Sequence, residues 1–236
     1  MTTPSIVFFG TPEFATIVLK KLIEQDLAPV LVVTPPDQPV GRKKVITPPP
    51  VKVEAMKNGI EVVQPENVEE IEGKLKEIKP DLIVLVAYGH LIPQSILDIP
   101  LKGALNVHPS LLPKYRGPSP IQTAILNGED NTGVTIMIMD EEIDHGPIVS
   151  QEILPTSLSS LSYEQAKEKL GILGGELLSK AIPQWIEGKI QAIEQKHEQA
   201  TYTEHLKREH GLIDWTKSAI DIERQVRALN PWPGTF

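Results

Sequence analysis

Residues 103–117 read GALNVHPSLLPKYRG, and this stretch decides both the fold and the place of its candidate reactive groups. Its first part is an apolar run between Gly and Pro, typical of a buried strand and too brief for a helix. Side chains alternate along a strand, so Asn106 and His108 are predicted to share one face. The intervening Leu105 and Val107 then face the core. Polar groups at the carboxyl end of a strand mark the place where open α/β sheets bind ligands.

Patterns of strands and helices alternate along the rest of the chain, which predicts an α/β fold with a Rossmann-like, doubly wound, mostly parallel sheet. Ser5–Gly10 is predicted as a strand, followed by Thr11 as helix cap and Pro12 as first helical residue. The helix is expected to end near Gln25. The turn lacks the G-x-G-x-x-G spacing of dinucleotide sites. Asp81–Ala87, the most apolar segment, is predicted as a central strand buried on both faces.

The segment Pro35–Pro50 contains six of the chain's 22 prolines. So many prolines predict a stiff loop without regular structure. Arg42, Lys43 and Lys44 lie in its middle. A surface charge run needs no special explanation, so Lys43 and Lys44 are interpreted as solvated.

The chemistry that suits this chain is acyl transfer to a nitrogen nucleophile. Asn106 can donate an amide hydrogen to an oxygen that becomes negative. His108 can donate or move a proton near neutral pH. Asp144, at the end of the acidic segment 140–144, could hold His108 and accept the proton that an attacking amine loses. No Ser or Cys nucleophile is required, because the nucleophile would come with the substrate.

The run NVHPSLLPKYRG with the later Asp144-His145-Gly146 resembles the formyltransferases that use 10-formyltetrahydrofolate. Other stretches are similar to the methionyl-tRNA formyltransferases within that family: FFGTPEF at 8–14, PPDQPVGRKK at 35–44, TGVTIMIMDEEID at 132–144, IDWTKSA at 213–219 and NPWPGTF at 230–236. The resemblance covers essentially the whole chain. It implies a formyltransferase fold and transfer of a formyl group from 10-formyltetrahydrofolate to the α-amine of initiator methionyl-tRNA in translation initiation.

The resemblance also implies roles for individual residues. The catalytic groups would be Asn106, His108 and Asp144. The folate would contact Tyr88, Gly89, His90, Ser110, Leu111, Leu112 and Pro113. The acceptor would contact Gly10, Thr11, Pro12, Phe14 and Arg42, with Arg42 reaching the aminoacylated end of the tRNA. From its residue type and place alone, a lone histidine such as His90 at a strand end is more often a structural hydrogen-bonding residue.

Length and composition bound the remaining possibilities. The chain has 236 residues, of which 40% are hydrophobic and 23% charged, so it is long enough to bury a sizeable core. The absence of cysteine excludes disulfides and thiolate metal sites, and no metal is expected. No long apolar run is present, so a cytoplasmic monomer without membrane contact is expected. The formal net charge of −8 is unusual for a tRNA-binding protein.

The pattern of the chain changes near residue 189. We predict a catalytic domain over 1–188, a linker over 189–205, and the start of a second domain over 206–236. The second domain is expected to hold a short strand at Ile213–Trp215 and a helix at Ser218–Leu229. The resemblance implies a C-terminal barrel of the oligonucleotide-binding type, and the chain stops about where that barrel should begin. We therefore expect a second domain that is either truncated or naturally without its barrel.

Three alternatives remain open from the sequence. The same residues would serve a formyltransferase that acts on a sugar-nucleotide or ribonucleotide amine. A formyltetrahydrofolate hydrolase would send the formyl group to water. A folate-binding or interaction domain without activity is the third, and the presence of all three candidate catalytic residues argues against it.

Overall fold

A seven-stranded sheet forms the centre of the molecule in the part of the chain described here, residues 3–41 and 43–236 of a computed structural model. The strands, in chain order, are β1 Ile6–Gly10, β2 Leu31–Val33, β3 Gln38–Val40, β4 Val45–Thr47, β5 Glu61–Val63, β6 Leu82–Val86, β7 Ala104–His108, β8 Gly133–Ile138 and β9 Ile148–Ile153.

Helices cover both faces of this sheet. They are α1 Glu13–Glu24, α2 Pro50–Lys57, α3 Glu72–Ile78, α4 Gln94–Leu97, α5 Pro120–Leu126, α6 Tyr163–Ile186 and α7 Ala219–Leu229. Short 3-10 helices occupy Val68–Ile71, Leu158–Ser160, His197–Gln199 and Arg208–Gly211. Among the helices of residues 3–41 and 43–236, none combines the length and hydropathy needed to cross a membrane.

The strand order in the sheet is β5-β2-β1-β6-β7-β8-β9. The first five strands of this order are parallel, while β8 runs antiparallel to both of its neighbours. β1 is flanked by β2 and β6, and both neighbours are fully buried. The predicted doubly wound, mostly parallel sheet is confirmed.

The side chains of β1 alternate between two separate cores. Ile6 and Phe8 pack with α1 and α6 on one face, and Val7 and Phe9 pack with α3 and α4 on the other. All four are fully buried. Strands that are apolar on both faces form in sheets covered by helices on both sides, which is why β1 and β6 read as unbroken apolar runs.

The prediction of an irregular loop over 35–50 is wrong, because β3 and β4 form an antiparallel hairpin there. Pro39 lies opposite Ile46 in the middle of this two-stranded ribbon. Proline has no backbone N–H to donate. It is tolerated in an edge strand because the side of the strand that faces away from its partner has no hydrogen bond to make. The β-branched Val40 and Val45 pair beside the turn and favour the extended conformation.

The strand predicted at Ile213–Trp215 does not form. Asp214 instead accepts hydrogen bonds from the backbone N and the Oγ1 of Thr216, at 3.0 and 2.7 Å, and such an Asx turn ends an extended segment. These bonds also lower the pKa of Asp214 below its usual value. The predicted helix is confirmed as α7, and Ser218 caps it by accepting from Asp221 N at 3.2 Å.

Three glycines in the middle of α6 allow this helix to approach its neighbours closely. A Cβ on Gly171 would lie 2.9 Å from Ile17 of α1, and one on Gly175 would lie 2.4 Å from Lys21. A Cβ on Gly174 would lie 2.9 Å from Cγ1 of Val107 in β7. Glycine lowers the helix propensity of α6 at these positions, but it allows the helix to pack closely against α1 and β7.

We predict that Gly174→Ala lowers the free energy of unfolding by about 1–3 kcal/mol, because the added methyl group must displace Val107 or the helix. Urea denaturation measures this change. The matched control is Gly73→Ala in α3, where a Cβ would meet nothing within 4 Å. That substitution should raise the stability by about 0.4–1 kcal/mol. Equal effects of the two substitutions would contradict the packing argument.

Candidate active site

β7 places Asn106 and His108 on the same face of the sheet. Leu105 and Val107 belong to the core beneath α6, so the alternation that the sequence predicts is present. His108 is 4% exposed and Asn106 is partly buried. The strand thus uses its apolar side for the core and its polar side for the site.

Asp144 lies over that polar side. It comes from the loop between β8 and β9, and its Oδ1 is 3.4 Å from Nδ2 of Asn106 and 3.4 Å from Nδ1 of His108. Both distances are long for hydrogen bonds. Catalytic hydrogen bonds are often long before substrate binds and shorten afterwards. The structure therefore brings together the three residues that the sequence predicted to be catalytic.

The imidazole of His108 is held on its other side by the carbonyl oxygen of Tyr115, which lies 2.9 Å from Nε2. A carbonyl oxygen only accepts, so Nε2 carries a hydrogen. The remaining nitrogen, Nδ1, faces Asp144. An ionised carboxylate also only accepts, so this contact requires one proton on Nδ1 or on the carboxyl group.

The second carboxylate oxygen of Asp144 accepts a hydrogen bond from the backbone N of Gly117 at 2.7 Å. Gly117 has a φ of 104°, and a Cβ there would lie 2.8 Å from the carbonyl oxygen of Thr203. Only glycine therefore fits at this position. Asp144 itself has a φ of 49°, a left-handed conformation that non-glycine residues rarely adopt and that is often found at functional sites.

The predicted folate contacts in the loop after β7 lie largely inside the protein. Ser110 is buried and donates from Oγ to the carbonyl oxygen of Lys114 at 2.6 Å, and Leu112 is buried as well. Leu111 and Pro113 are partly buried beside them. In this structure Ser110 and Leu112 support the loop from within, and contact of this loop with folate stays a prediction.

Thr135 of β8 connects this loop to the sheet. Its Oγ1 donates to the carbonyl oxygen of Ser110 at 2.7 Å and accepts from Leu112 N at 3.2 Å and from Gln151 Nε2 at 2.8 Å. One hydroxyl thus uses its donor and both acceptor positions in a fully buried place. The shape of the loop depends on this group.

The turn at Tyr88–His90, predicted to contact the folate, is hydrogen-bonded to the turn at Thr11, predicted to contact the acceptor. Thr11 donates from Oγ1 to the carbonyl oxygen of Tyr88 at 2.7 Å, so its predicted role as helix cap is wrong. The ring of Tyr88 is buried against Phe9, and burial raises the pKa of its hydroxyl. Gly89 and His90 are exposed, and Gly89 has a φ of 88°.

The predicted acceptor contacts differ in their surroundings. Gly10 is buried, and a Cβ there would lie 2.7 Å from the ring of Phe8, so this glycine is needed for packing. Phe14 is also part of the core. Pro12 is exposed beside Thr11. Arg42 lies outside the described residues.

The other acidic side chains of residues 140–144 pair with His145 or are exposed. Asp140 pairs with Nδ1 of His145 at 2.7 Å, and Glu141 and Glu142 are exposed. The ring of His145 stacks on that of His197, with centroids 4.1 Å apart and planes 9° from parallel. Over residues 3–41 and 43–236, no group of three or more His, Asp or Glu side chains is arranged to hold a metal ion.

Five residues that support the site were not predicted to do so: Tyr115, Arg116, Gly117, Thr135 and Gln195. Tyr115 to Gly117 lie within the quoted motif, and a polar Thr in the apolar strand GVTIMI was a visible irregularity. Gln195 lies in a segment without any periodic pattern. Nothing in the sequence near it indicates that it hydrogen-bonds to the loop of Asp144.

Comparison with known proteins identifies the family. Residues 4–182 match the family model described as formyl transferase. This chain belongs to the formyltransferase family. Residues 205–236 also match the model described as formyl transferase, C-terminal domain.

Two curated relatives in this formyltransferase family align with almost the whole chain. The methionyl-tRNA formyltransferase of Geobacillus sp. (strain WCH70) is 48% identical over 233 residues, which cover 98% of this chain and 73% of that protein. The methionyl-tRNA formyltransferase of Bacillus subtilis (strain 168) is 47% identical over 234 residues, with the same coverage.

Solved structures of formyltransferases share the fold at lower identity. A 4-N formyltransferase from Francisella tularensis superposes with a TM-score of 0.74 at 23% identity, covering 99% of this chain and 91% of that one. An N-formyltransferase from Helicobacter canadensis, in complex with folinic acid and dTDP-3-aminofucose, gives a TM-score of 0.71 at 22% identity, covering 95% and 80%.

We predict that Thr135→Val lowers the free energy of unfolding by about 1–3 kcal/mol, because buried partners of the hydroxyl lose their hydrogen bonds while the shape is kept. The control is Thr34→Val. Thr34 is equally buried, and within residues 3–41 and 43–236 its Oγ1 has no hydrogen-bond partner. Removing that hydroxyl should leave stability unchanged or raise it by about 1 kcal/mol. Thermal or urea unfolding measures the stability of both variants. A similar loss of stability in both would contradict the role assigned to the Thr135 hydroxyl.

Proposed function

We propose that this chain transfers the formyl group of 10-formyltetrahydrofolate to the α-amino group of initiator methionyl-tRNA. One observation carries the proposal. Asn106 Nδ2 and His108 Nδ1 each lie 3.4 Å from the same oxygen of Asp144, in a chain 48% identical to a methionyl-tRNA formyltransferase. The products would be formylmethionyl-tRNA, for translation initiation, and tetrahydrofolate.

Asn106 would stabilise the negative charge that develops on the formyl oxygen. Its Nδ2 is an amide donor fixed on a rigid strand, and a donor fixed in advance needs little reorganisation during the reaction. The Nδ1 of His108 lies on the same side and would be the second donor. The Nε2 of His108 cannot be this donor, because its hydrogen is already donated to the carbonyl oxygen of Tyr115.

Asp144 would accept the proton that the amine loses. Its Oδ2 is occupied by the amide of Gly117, so Oδ1 is the oxygen that faces Asn106 and His108. A proton on Oδ1 would lie within reach of Nδ1 of His108. The carboxyl–imidazole pair would therefore hold the proton between its release from one nitrogen and its return to another.

The bonds and protons of the proposed transfer balance. The amine nitrogen of the acceptor forms a bond to the formyl carbon, and the bond between that carbon and the folate nitrogen breaks. The proton lost by the amine passes to the Asp144–His108 pair and then to the folate nitrogen. No oxidant, reductant or metal enters this step.

The turn after β6 has the features that a planar folate ring requires. Ala87 and Gly89 both have left-handed backbone conformations, with φ of 46° and 88°. A Cβ on Gly89 would meet nothing within 4 Å, so its main chain is open to a ligand. Leu91 beside it is 82% exposed. Open backbone groups next to exposed apolar surface suit a heterocycle that both stacks and hydrogen-bonds.

The acceptor side of the site would be formed by the turn at Thr11 and Pro12 and by the hairpin β3–β4. Arg42 lies outside the described residues, and its contact with the aminoacylated end of the tRNA stays a prediction from the resemblance. Because charged tRNA is used in the cytoplasm, the reaction would take place there.

Formylation of a sugar-nucleotide amine is the second candidate. The solved structures of the same fold include two described as sugar formyltransferases, but at 20% and 16% identity they show the fold alone. The curated relatives at 47–48% identity carry the methionyl-tRNA name, which favours the tRNA acceptor.

An acceptor competition tests the proposal. The purified protein is given 10-formyltetrahydrofolate with a labelled formyl group, together with initiator methionyl-tRNA, an amino-sugar nucleotide, glycinamide ribonucleotide, or no acceptor. Label on methionyl-tRNA is expected. Label on another amine would replace the acceptor but keep the chemistry. Loss of the formyl group without any acceptor would indicate a hydrolase.

We predict that Asn106→Ala lowers kcat at least about tenfold, because one donor to the developing charge is lost. Steady-state kinetics with methionyl-tRNA measures the change, and circular dichroism checks that the fold is intact. Asn58→Ala, at an exposed Asn that ends α2, is the control and should keep the kcat of the unmodified chain. Near-normal turnover of Asn106→Ala would rule out its proposed role.

A further inference from the structure

We infer that Arg116 and Gln195 are positioning residues that hold Asp144 in its left-handed conformation. The inference rests on the proposed function for its catalytic meaning, since it concerns the residue proposed to accept the proton. Neither residue touches Asn106 or His108 in the contacts described above. The effect of their side chains would pass through the backbone of the loop that carries Asp144.

Arg116 is the largest fully buried side chain, at 1% exposure. Its Nε and Nη2 both donate to Oε1 of Gln195, at 3.2 and 2.7 Å. Nη2 also lies 2.9 Å from Nδ1 of His197, and Nη1 donates to the hydroxyl of Tyr202 at 3.4 Å. Each of these partners is an uncharged group or a ring nitrogen that must accept, because a guanidinium only donates.

Burial of a cation among such partners costs several kcal/mol, so the arrangement is not explained by stability alone. None of the ion pairs found in residues 3–41 and 43–236 includes Arg116. What the guanidinium does achieve is a fixed orientation of one amide. Two converging donors on Oε1 prevent the Gln195 side chain from flipping, since a flip would place its NH₂ group against them.

The fixed amide directs its own donors to the loop of Asp144. Nε2 of Gln195 donates to the carbonyl oxygen of Asp144 at 2.9 Å and to that of Gly146 at 2.8 Å. On the other side of the loop, a Cβ on Gly146 would lie 2.0 Å from the carbonyl oxygen of Ile138, so the loop is pressed against the end of β8. The loop is thus held between β8 and Gln195.

Backbone hydrogen bonds hold Arg116 itself and the chain two residues before Gln195. The N of Arg116 donates to the carbonyl oxygen of Thr201 at 2.9 Å, and its own carbonyl oxygen accepts from Thr203 N at 2.7 Å. Gln195 follows Ile193, which exchanges two backbone hydrogen bonds of 2.8 Å with Ile148 of β9. A side chain acts as a precise support only when its own backbone cannot shift.

The variant Gln195→Glu distinguishes two roles of Gln195: holding the loop of Asp144, and only accepting hydrogen bonds from the buried Arg116. The carboxylate would still accept from Arg116 and would add an ion pair, so a role limited to satisfying the guanidinium would be preserved. It has no hydrogen to donate, and it would place an oxygen against the carbonyl oxygens of Asp144 and Gly146. Gln184→Glu, at an exposed position of α6, adds the same charge and serves as the control.

With 10-formyltetrahydrofolate and methionyl-tRNA, Gln195→Glu is expected to lower kcat at least about tenfold relative to Gln184→Glu, because small displacements of a reacting group are costly. The KM for the folate should change less than about twofold, since Asp144 would act on the reaction rather than on folate binding. A kcat within about twofold of the control would overturn the inference.

Amide hydrogen exchange of residues 140–147, measured by mass spectrometry without substrates, gives a second readout that does not depend on activity. Faster exchange in Gln195→Glu than in Gln184→Glu is expected, and equal exchange would overturn the inference even if the unmodified chain formylated no acceptor. If Gln195→Glu does not fold, Gln195→Met, which removes both hydrogen-bonding groups without adding charge, is judged by the same two criteria.

Discussion

The alternation of side chains along β7 is the constraint on which the rest of the structure depends. Val107 lies against Gly174 of α6 so closely that a single methyl group would not fit between them. This contact fixes which face of the strand enters the core. Asn106 and His108 are thereby committed to the opposite face. The packing of a helix on one side of the sheet thus determines the geometry of the polar groups on the other side.

The polar face of β7 is completed by backbone groups rather than by further reactive side chains. The carbonyl oxygen of Tyr115 orients His108, and the amide of Gly117 orients Asp144. Tyr115, Gly117 and Asp144 all have positive φ values, so the chain bends unusually at each point where a main-chain group meets a proposed reactive one. Such conformations are strained for the non-glycine residues among them, and the surrounding hydrogen bonds keep them in place.

Much of the fold could be predicted because its determinants are local. The apolar runs of β1 and β6, the alternation in β7 and the pattern of the helix α7 are all visible within a few residues. The hairpin over 35–50 is harder to predict, because its six prolines argue against strands and the pairing of Val40 with Val45 is visible only in the structure. Non-local features were beyond such patterns. The contact of Arg116 with Gln195 joins residues that are 79 positions apart in the sequence, and no pattern in the sequence around either residue predicts it.

The long sequence separation of these supports has a consequence for the order in which the protein acquires its parts. The sheet and α6 are complete by residue 186, whereas the contacts of Arg116 reach forward to Gln195 and Thr203. Contacts that close long loops form late in folding, and synthesis delivers the amino-terminal part first. A nascent chain would therefore complete its sheet and α6 before the loop of Asp144 is held, so the site would become competent for chemistry only after the sheet has formed.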